Sequence, residues 1–172
     1  MSKIFPLARA KRAISKNQVF SLCGKSNLIA QEKISGISCR IILKEGRLSI
    51  LNRIGFNITN AMSKKIFFKS MIDSCKKYKK LHLLCVASEE KIIIYDCIEV
   101  DEEKIHRLPF YERAKILKSL TIFDDNISYV KTYNIDKLED LINTGVKEII
   151  LKIKDSIYPI RKPRSQEPIA DW

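Results

Sequence analysis

The sequence is short of the residues on which small metal-binding and secreted chains rely. It holds two histidines, His82 and His106, in 172 residues. None of its five cysteines lies close enough to another for a zinc knuckle, so no metal site is expected. The first 25 residues contain no acidic side chain, and no apolar core there is long enough for a secretion signal. No stretch approaches the ~20 apolar residues of a membrane span, so no membrane partner is expected. There is no internal repeat. The odd cysteine count, with several cysteines inside apolar runs, reads as buried thiols in an intracellular, reducing compartment. The basic N-terminus leaves organelle or nuclear targeting open.

What the chain has in excess is positive charge. Lysine and arginine total 32 against 20 acidic residues, a net charge of +12. A polyanionic partner follows, with nucleic acid ahead of an anionic membrane surface; the alternative is a solubilising bias. Length and an apolar fraction of 45% suit one domain with a moderate core.

Along the chain, residues 1–26 read as a basic arm or peripheral helix, 27–155 as the folded body, and 156–172 as an extended, basic, proline-rich tail. Ile37 to Leu43 and Arg47 to Leu51 form a hairpin about Glu45-Gly46. From Thr59 the period changes to that of a helix, capped by Thr59 or Asn60 and burying Phe67, Met71, Cys75 and Tyr78. Its other face would carry Lys64, Lys65, Lys69, Lys76, Lys77, Lys79 and Lys80, either a phosphate-backbone surface or simply a solvated face. Leu81 to Val86 and Lys91 to Ile98 read as strands. Pro109 opens a helix over Phe110 to Leu120 as its first residue. A strand near Ile127 to Lys131, a short helix from Ile135 to Asn143 stopped by Gly145, and a strand over Glu148 to Ile153 complete the body. The elements predict an α+β domain built on antiparallel sheet.

Glu32-Lys33-Ile34-Ser35-Gly36-Ile37-Ser38-Cys39-Arg40 resembles the Lys-x-Asp-Gly-x-Arg signature of ATP-dependent DNA ligases and capping guanylyltransferases. Further elements follow in that family's order. Leu51-Asn52-Arg53-Ile54-Gly55 resembles its Ser-Arg-Asn-Gly element, and Tyr95-Asp96 a strand ending in an aromatic and an aspartate. Pro109 to Arg113 is similar to its Pro-x-x-Glu-Arg helix start. Gly145 to Lys152 with Asp155-Ser156-Ile157-Tyr158 is similar to its Glu-Gly-x-x-x-Lys strand and Asp-Ser-x-Tyr extension. The resemblance implies a compact, ATP-grasp-like ligase core of antiparallel sheets with flanking helices. It implies Lys33 as the nucleophile that attacks a nucleotide α-phosphate, with Arg53 and Lys152 on the base or ribose side. ATP or GTP with Mg2+ would then be the cofactor set.

The departures from that pattern weigh against turnover. Ser35 stands in place of the signature aspartate and Ser38 in place of its arginine, with Arg40 two residues on. Cys85 and Ala87 fall on the acidic positions of the Asp-Gly-Glu element. Lys147 falls on the glutamate of the later strand, which a one-residue shift would give instead to Glu148. Charge accumulating on phosphates without metal ligands loses a few kcal/mol for each missing contact. The leading expectation is therefore a reduced, non-catalytic copy with no cofactor. It would bind nucleic acid, or act as a structural subunit of a nucleoprotein assembly, through the seven lysines and the tail cations Arg161, Lys162 and Arg164. The alternatives are a minimal adenylyl- or guanylyltransferase using Lys33, with carboxylates recruited from Asp96, Glu99 or Glu148, and a subunit whose basic face meets an acidic protein.

Overall fold

The structure, a computed structural model, describes residues 27–137, 140, 143–146 and 148–158. Two sheets carry the fold. The larger has five strands in the order β3-β2-β4-β5-β6, where β2 is Ile37–Lys44, β3 Arg47–Asn52, β4 Lys80–Ala87, β5 Ile92–Val100 and β6 Ile127–Tyr129. Every neighbouring pair is antiparallel except β5/β6, which is parallel. The smaller sheet places β1 (Leu28–Glu32) between β7 (Thr132–Asn134) and β8 (Ile149–Ile153), both antiparallel to it. The α+β class and its largely antiparallel sheets are as the sequence implies.

The β2/β3 hairpin turns on two residues, Glu45 (φ 52°) and Gly46 (φ 74°), the positive-φ pair that a tight primed turn requires. Before it, Gly36 (φ 148°) is fixed by close approach: a Cβ there would stand 2.6 Å from the Ala87 carbonyl oxygen. The signature glycine thus seats the start of β2 against the end of β4.

The helix expected from Thr59 is broken. Thr59–Met62 forms one turn, α1, and Phe67–Cys75 forms α2. The buried residues explain the break. Met62 and Phe67 are five apart, so the apolar stripe slips out of helical phase, and Ile66, which would follow Met62, is exposed. Asn57 holds the start of α1, its Oδ1 accepting from the Thr59 amide and hydroxyl, so neither Thr59 nor Asn60 is the cap. Phe67, Met71 and Cys75 are buried as expected, and Tyr78 is half-buried. Pro109 precedes the helix Phe110–Ser119, α3, in cap position with ψ 150°. Of the short helix expected over Ile135 to Asn143, Ile135–Lys137 is a 3-10 turn.

The main core lies on one face of the large sheet, where Cys39, Ile41, Leu83, Cys85 and Ile94 meet Met62, Phe67, Met71 and Leu117. The small sheet has its own core on one face, built from Leu28, Ala30, Ile135 and Leu151. Each sheet keeps its second face for the other. Leu84 and Ile98 of the large sheet pack there with Tyr158, and Gln31 of β1 reaches the Tyr95 carbonyl. Among the described residues, no helix is long and apolar enough to cross a membrane.

Candidate functional site

Alternation along the β1/β8 ladder determines what faces the cleft between the sheets. Leu28, Ala30 and Leu151 belong to the small core, so Ile29, Gln31, Ile150 and Lys152 point the other way. The ladder extends one step beyond both strands, where the Lys33 amide donates to the Glu148 carbonyl at 3.0 Å. There the Lys33 ammonium donates to both Glu148 carboxylate oxygens, each at 3.0 Å. Both side chains are half-exposed, 52% and 59%. Lys152 pairs with Ile29 four residues down the ladder, about 13 Å away. It is buried, its Nζ 4.6 Å from the Phe110 ring centre and 5.2 Å from that of Tyr95.

Two irregularities in the β4/β5 pairing shape the opposite wall. Cys85 pairs with Ile94 but Leu84 with Asp96, which leaves Tyr95 as an extra residue; Ile98 is a second. A regular strand would turn Asp96 to the main core and Cys97 to the cleft. The bulges reverse both, so Cys97 joins the main core while Tyr95 and Ile98 pack beside Leu84. Asp96 then meets Arg113 of α3. Nε donates to Oδ1 and Nη2 to Oδ2, both at 2.9 Å, with each side chain 3% exposed. Nη1 of Arg113 donates to the carbonyls of Leu108 (2.7 Å) and Ser156 (3.0 Å), and its guanidinium stacks near Phe110 and Tyr158. Three elements far apart in sequence, Tyr95-Asp96, Pro109 to Arg113 and Asp155 to Tyr158, therefore converge on one buried guanidinium.

Arg40, noted in the sequence only as lying two residues past the signature arginine position, is a buried cation of this wall. It lies in the middle of β2 opposite Leu84, almost wholly buried, and Nη2 donates to the Arg53 carbonyl at 3.4 Å. Burial pulls its guanidinium below the ordinary value, offset in part by Tyr158 and Tyr95. The signal was its phase, since it alternates with Cys39 and Ile41, both core residues. Arg53 itself sits exposed in the loop after β3, its backbone rather than its side chain turned to Arg40.

The carboxylates proposed for recruitment separate clearly. Asp96 is engaged by Arg113, and Glu99 pairs with His82 at the far end of β5. Only Glu148 stands beside Lys33. Cys85 and Ala87 are buried in the main core, with Cys85 Sγ 3.4 Å from Cys39 Sγ. Among the described residues no group of three His, Cys, Asp or Glu side chains could hold a metal ion. The described residues thus bring cations to the cleft but assemble no ligand set that fits a divalent metal. The four described cysteines are free and buried, and burial pushes the Cys75 thiol up to about 12, which suits packing rather than nucleophilic work.

The expected lysines do not share one helix. Lys69 alone lies within α2; Lys64 and Lys65 lie in the break before it, Lys76, Lys77 and Lys79 in the connection after it, and Lys80 opens β4. Lys65 pairs with Glu89, Lys76 with Asp73 at 2.8 Å, and Lys77 donates to the Thr121 carbonyl. The Lys76 contact holds the Asp73 carboxyl below its usual range. Register adds two cations that periodicity could not reveal. Lys44 stands directly opposite Lys80 on one side and Arg47 on the other, three cations abreast on adjacent strands. Arg161, Lys162 and Arg164 lie outside the described residues.

No protein-family model and no curated protein matches the chain. Solved structures do. Mycobacterial DNA ligase D complexed with ATP and MES is similar with a TM-score of 0.70 at 12% identity, over 91% of this chain and 56% of that one. The ligase domain of M. tuberculosis LigD gives 0.64 at 13%, over 79% and 50%. Pmar-Lig gives 0.56 at 10%, over 96% and 46%. At these identities the likeness is one of fold alone: an α+β core of mixed sheets with flanking helices, built as in those ligase structures. The chain spans about half the length of the ligase chains it matches.

Proposed function

We propose that this is a nucleotidyltransferase-fold protein that binds nucleic acid by its phosphate backbone, alone or as a subunit of a nucleoprotein assembly, without itself transferring a nucleotide. The observation that carries the reading is the row Arg47, Lys44 and Lys80. Like charges directly opposite across strands destabilise a sheet, and a polyanion laid over them relieves that cost. Lys44 has Glu45 within 4.0 Å as a partial counter-charge. Lys76, Lys77 and Lys79 lead straight into Lys80 and extend the row. Four buried free thiols suit a reducing compartment.

The absence of transfer is supported by Lys33. An amine that attacks phosphorus must be free to reach it, whereas this one is drawn onto both oxygens of Glu148. The aspartate of the signature is Ser35, and core packing fills the Cys85 and Ala87 positions. The same contact also favours one second reading. Glu148 is the single recruited carboxylate within reach of Lys33, so if transfer occurs, Lys33 and Glu148 carry it, on a fold that in mycobacterial ligase D holds ATP.

The test is fluorescence anisotropy with labelled DNA and RNA across a salt series. Binding should weaken log-linearly with salt, and the triple change Lys44→Glu, Arg47→Glu, Lys80→Glu should flatten the slope by roughly two to three phosphate contacts. An absence of binding even at low salt would remove the reading and leave an acidic protein partner as the destination of the basic face.

A further inference from the structure

The loop after β3 presents apolar side chains to solvent on a backbone that is locked from below. Ile54 is 72% exposed and Phe56 67%. Asn52 builds the loop: its Oδ1 accepts from the amides of Ile54 (3.1 Å) and Phe56 (2.9 Å), and its own amide donates to the Phe56 carbonyl at 2.8 Å. Gly55, with φ 97°, makes the turn and donates to the Asn52 carbonyl. A bridge between Leu51 and Asn57 closes it. Six backbone polar groups are thus spent holding two side chains outward, so ordering them on contact costs little.

The surroundings carry a net positive charge, with Arg53, Lys64, Lys65 and Lys91 against Glu89 and Glu90. Arg53 precedes the pair and is exposed, with no ion pair among the described residues. Asn52 pairs with Cys39 and Ala87 with Ile37, so the loop, exposed Ile37 and the Lys65–Glu89 pair lie at one end of the large sheet. Exposed Lys64 follows α1 at that end. The cations of the Arg47, Lys44 and Lys80 row lie at the other end of β3.

We infer that Ile54 and Phe56 form a wedge that stacks on or between bases of a nucleic acid whose phosphates lie on Arg53 and Lys64. This deepens the proposed function and rests on it. The charge around the wedge selects a polyanion. Its size points the same way: even with Ile37 and Ile66, the four exposed apolar side chains at this end fall short of the ~800 Å² per partner of a standard protein interface, but one aromatic and one aliphatic side chain are what a base step admits. Since every base has a π-face, the wedge would favour unpaired strands without reading sequence.

The test compares wild type, Phe56→Ala, Phe56→Trp and the Lys44/Arg47/Lys80 charge reversal on a labelled single strand and the matching duplex, at two salt concentrations. Phe56→Ala is expected to lose about tenfold in affinity for the single strand with its salt slope unchanged, because a stacking contact and no phosphate contact is removed. Its thermal melt should overlay wild type, as Phe56 is not part of the core. Phe56→Trp should retain affinity, and its indole emission should change on strand addition. If wild type binds and Phe56→Ala stays within about twofold, the wedge is overturned while the backbone reading stands. If wild type binds neither probe, the backbone reading fails first and takes the wedge with it. If Phe56→Ala alters self-association in sedimentation instead of strand affinity, the loop is a protein interface and the inference is wrong.

Discussion

Two ion pairs on the cleft share their chemistry and differ in circumstance. Asp96 and Arg113 meet with both side chains 3% exposed, and two further carbonyls complete the guanidinium's hydrogen bonds. Lys33 and Glu148 meet as closely, but half in solvent and at the very end of a ladder. The first ties β5, α3 and the segment up to Tyr158 into one body. The second ties nothing that the β1/β8 hydrogen bonds do not already hold. The difference separates what the ligase-like motifs do for folding from what they could do for chemistry. The elements around Asp96 and Arg113 are architectural here, while the element that names a nucleophile sits in an exposed pair.

The largest effect should come from breaking the buried pair. Arg113→Ala leaves an uncompensated carboxylate and should cost about 3–5 kcal/mol, a fall in Tm on the order of 10 °C. The double change Asp96→Leu, Arg113→Met should recover most of that loss in a thermal melt, since two apolar side chains need no partner. Recovery would show that the pair is costly to break rather than intrinsically stabilising.

The next effect is a pH dependence on the same side of the large sheet. His82 is held down to about 4, first by burial and then by the positive charge of Arg40, against an ordinary value of 6.5. Between those values the unfolded chain binds more protons than the folded one. Stability is therefore full above pH 6.5 and falls as pH drops toward 4, by up to roughly 3 kcal/mol from this group. Urea unfolding at stepped pH measures it, and His82→Gln should remove that part of the slope.

The smallest effect sharpens the contrast. Glu148→Gln removes the exposed pair and should change stability by less than about 0.5 kcal/mol. High salt should erase even that in wild type while leaving the Arg113 effect intact. A Glu148→Gln penalty as large as that of Arg113→Ala would cancel the distinction between the two pairs.

How much of this was legible in the sequence follows from the range of the interactions. The β2/β3 hairpin was readable because Glu45-Gly46 fixes it locally. β1 was not read as a strand, because Leu28 to Gln31 are buried on both faces and their partners lie a hundred residues and more away, at Thr132 and Ile149. The single long helix failed at Ile66, where five-residue spacing of buried positions carries no mark in composition. The motif resemblance located Tyr95-Asp96, Arg113 and Lys152 but not their meeting, which depends on bulges at Tyr95 and Ile98 that no residue type announces. The row of Arg47, Lys44 and Lys80 depends on register alone, so lysine counting pointed to a helix face and missed the sheet.

The most direct test of the central claim is the intact mass of the protein after incubation with ATP or GTP and magnesium or manganese, with Lys33→Ala alongside. The account predicts no mass gain under any combination, with Lys33 still held by Glu148. A gain of one nucleotide monophosphate in the native chain that vanishes in Lys33→Ala would contradict it and make the exposed pair an active site.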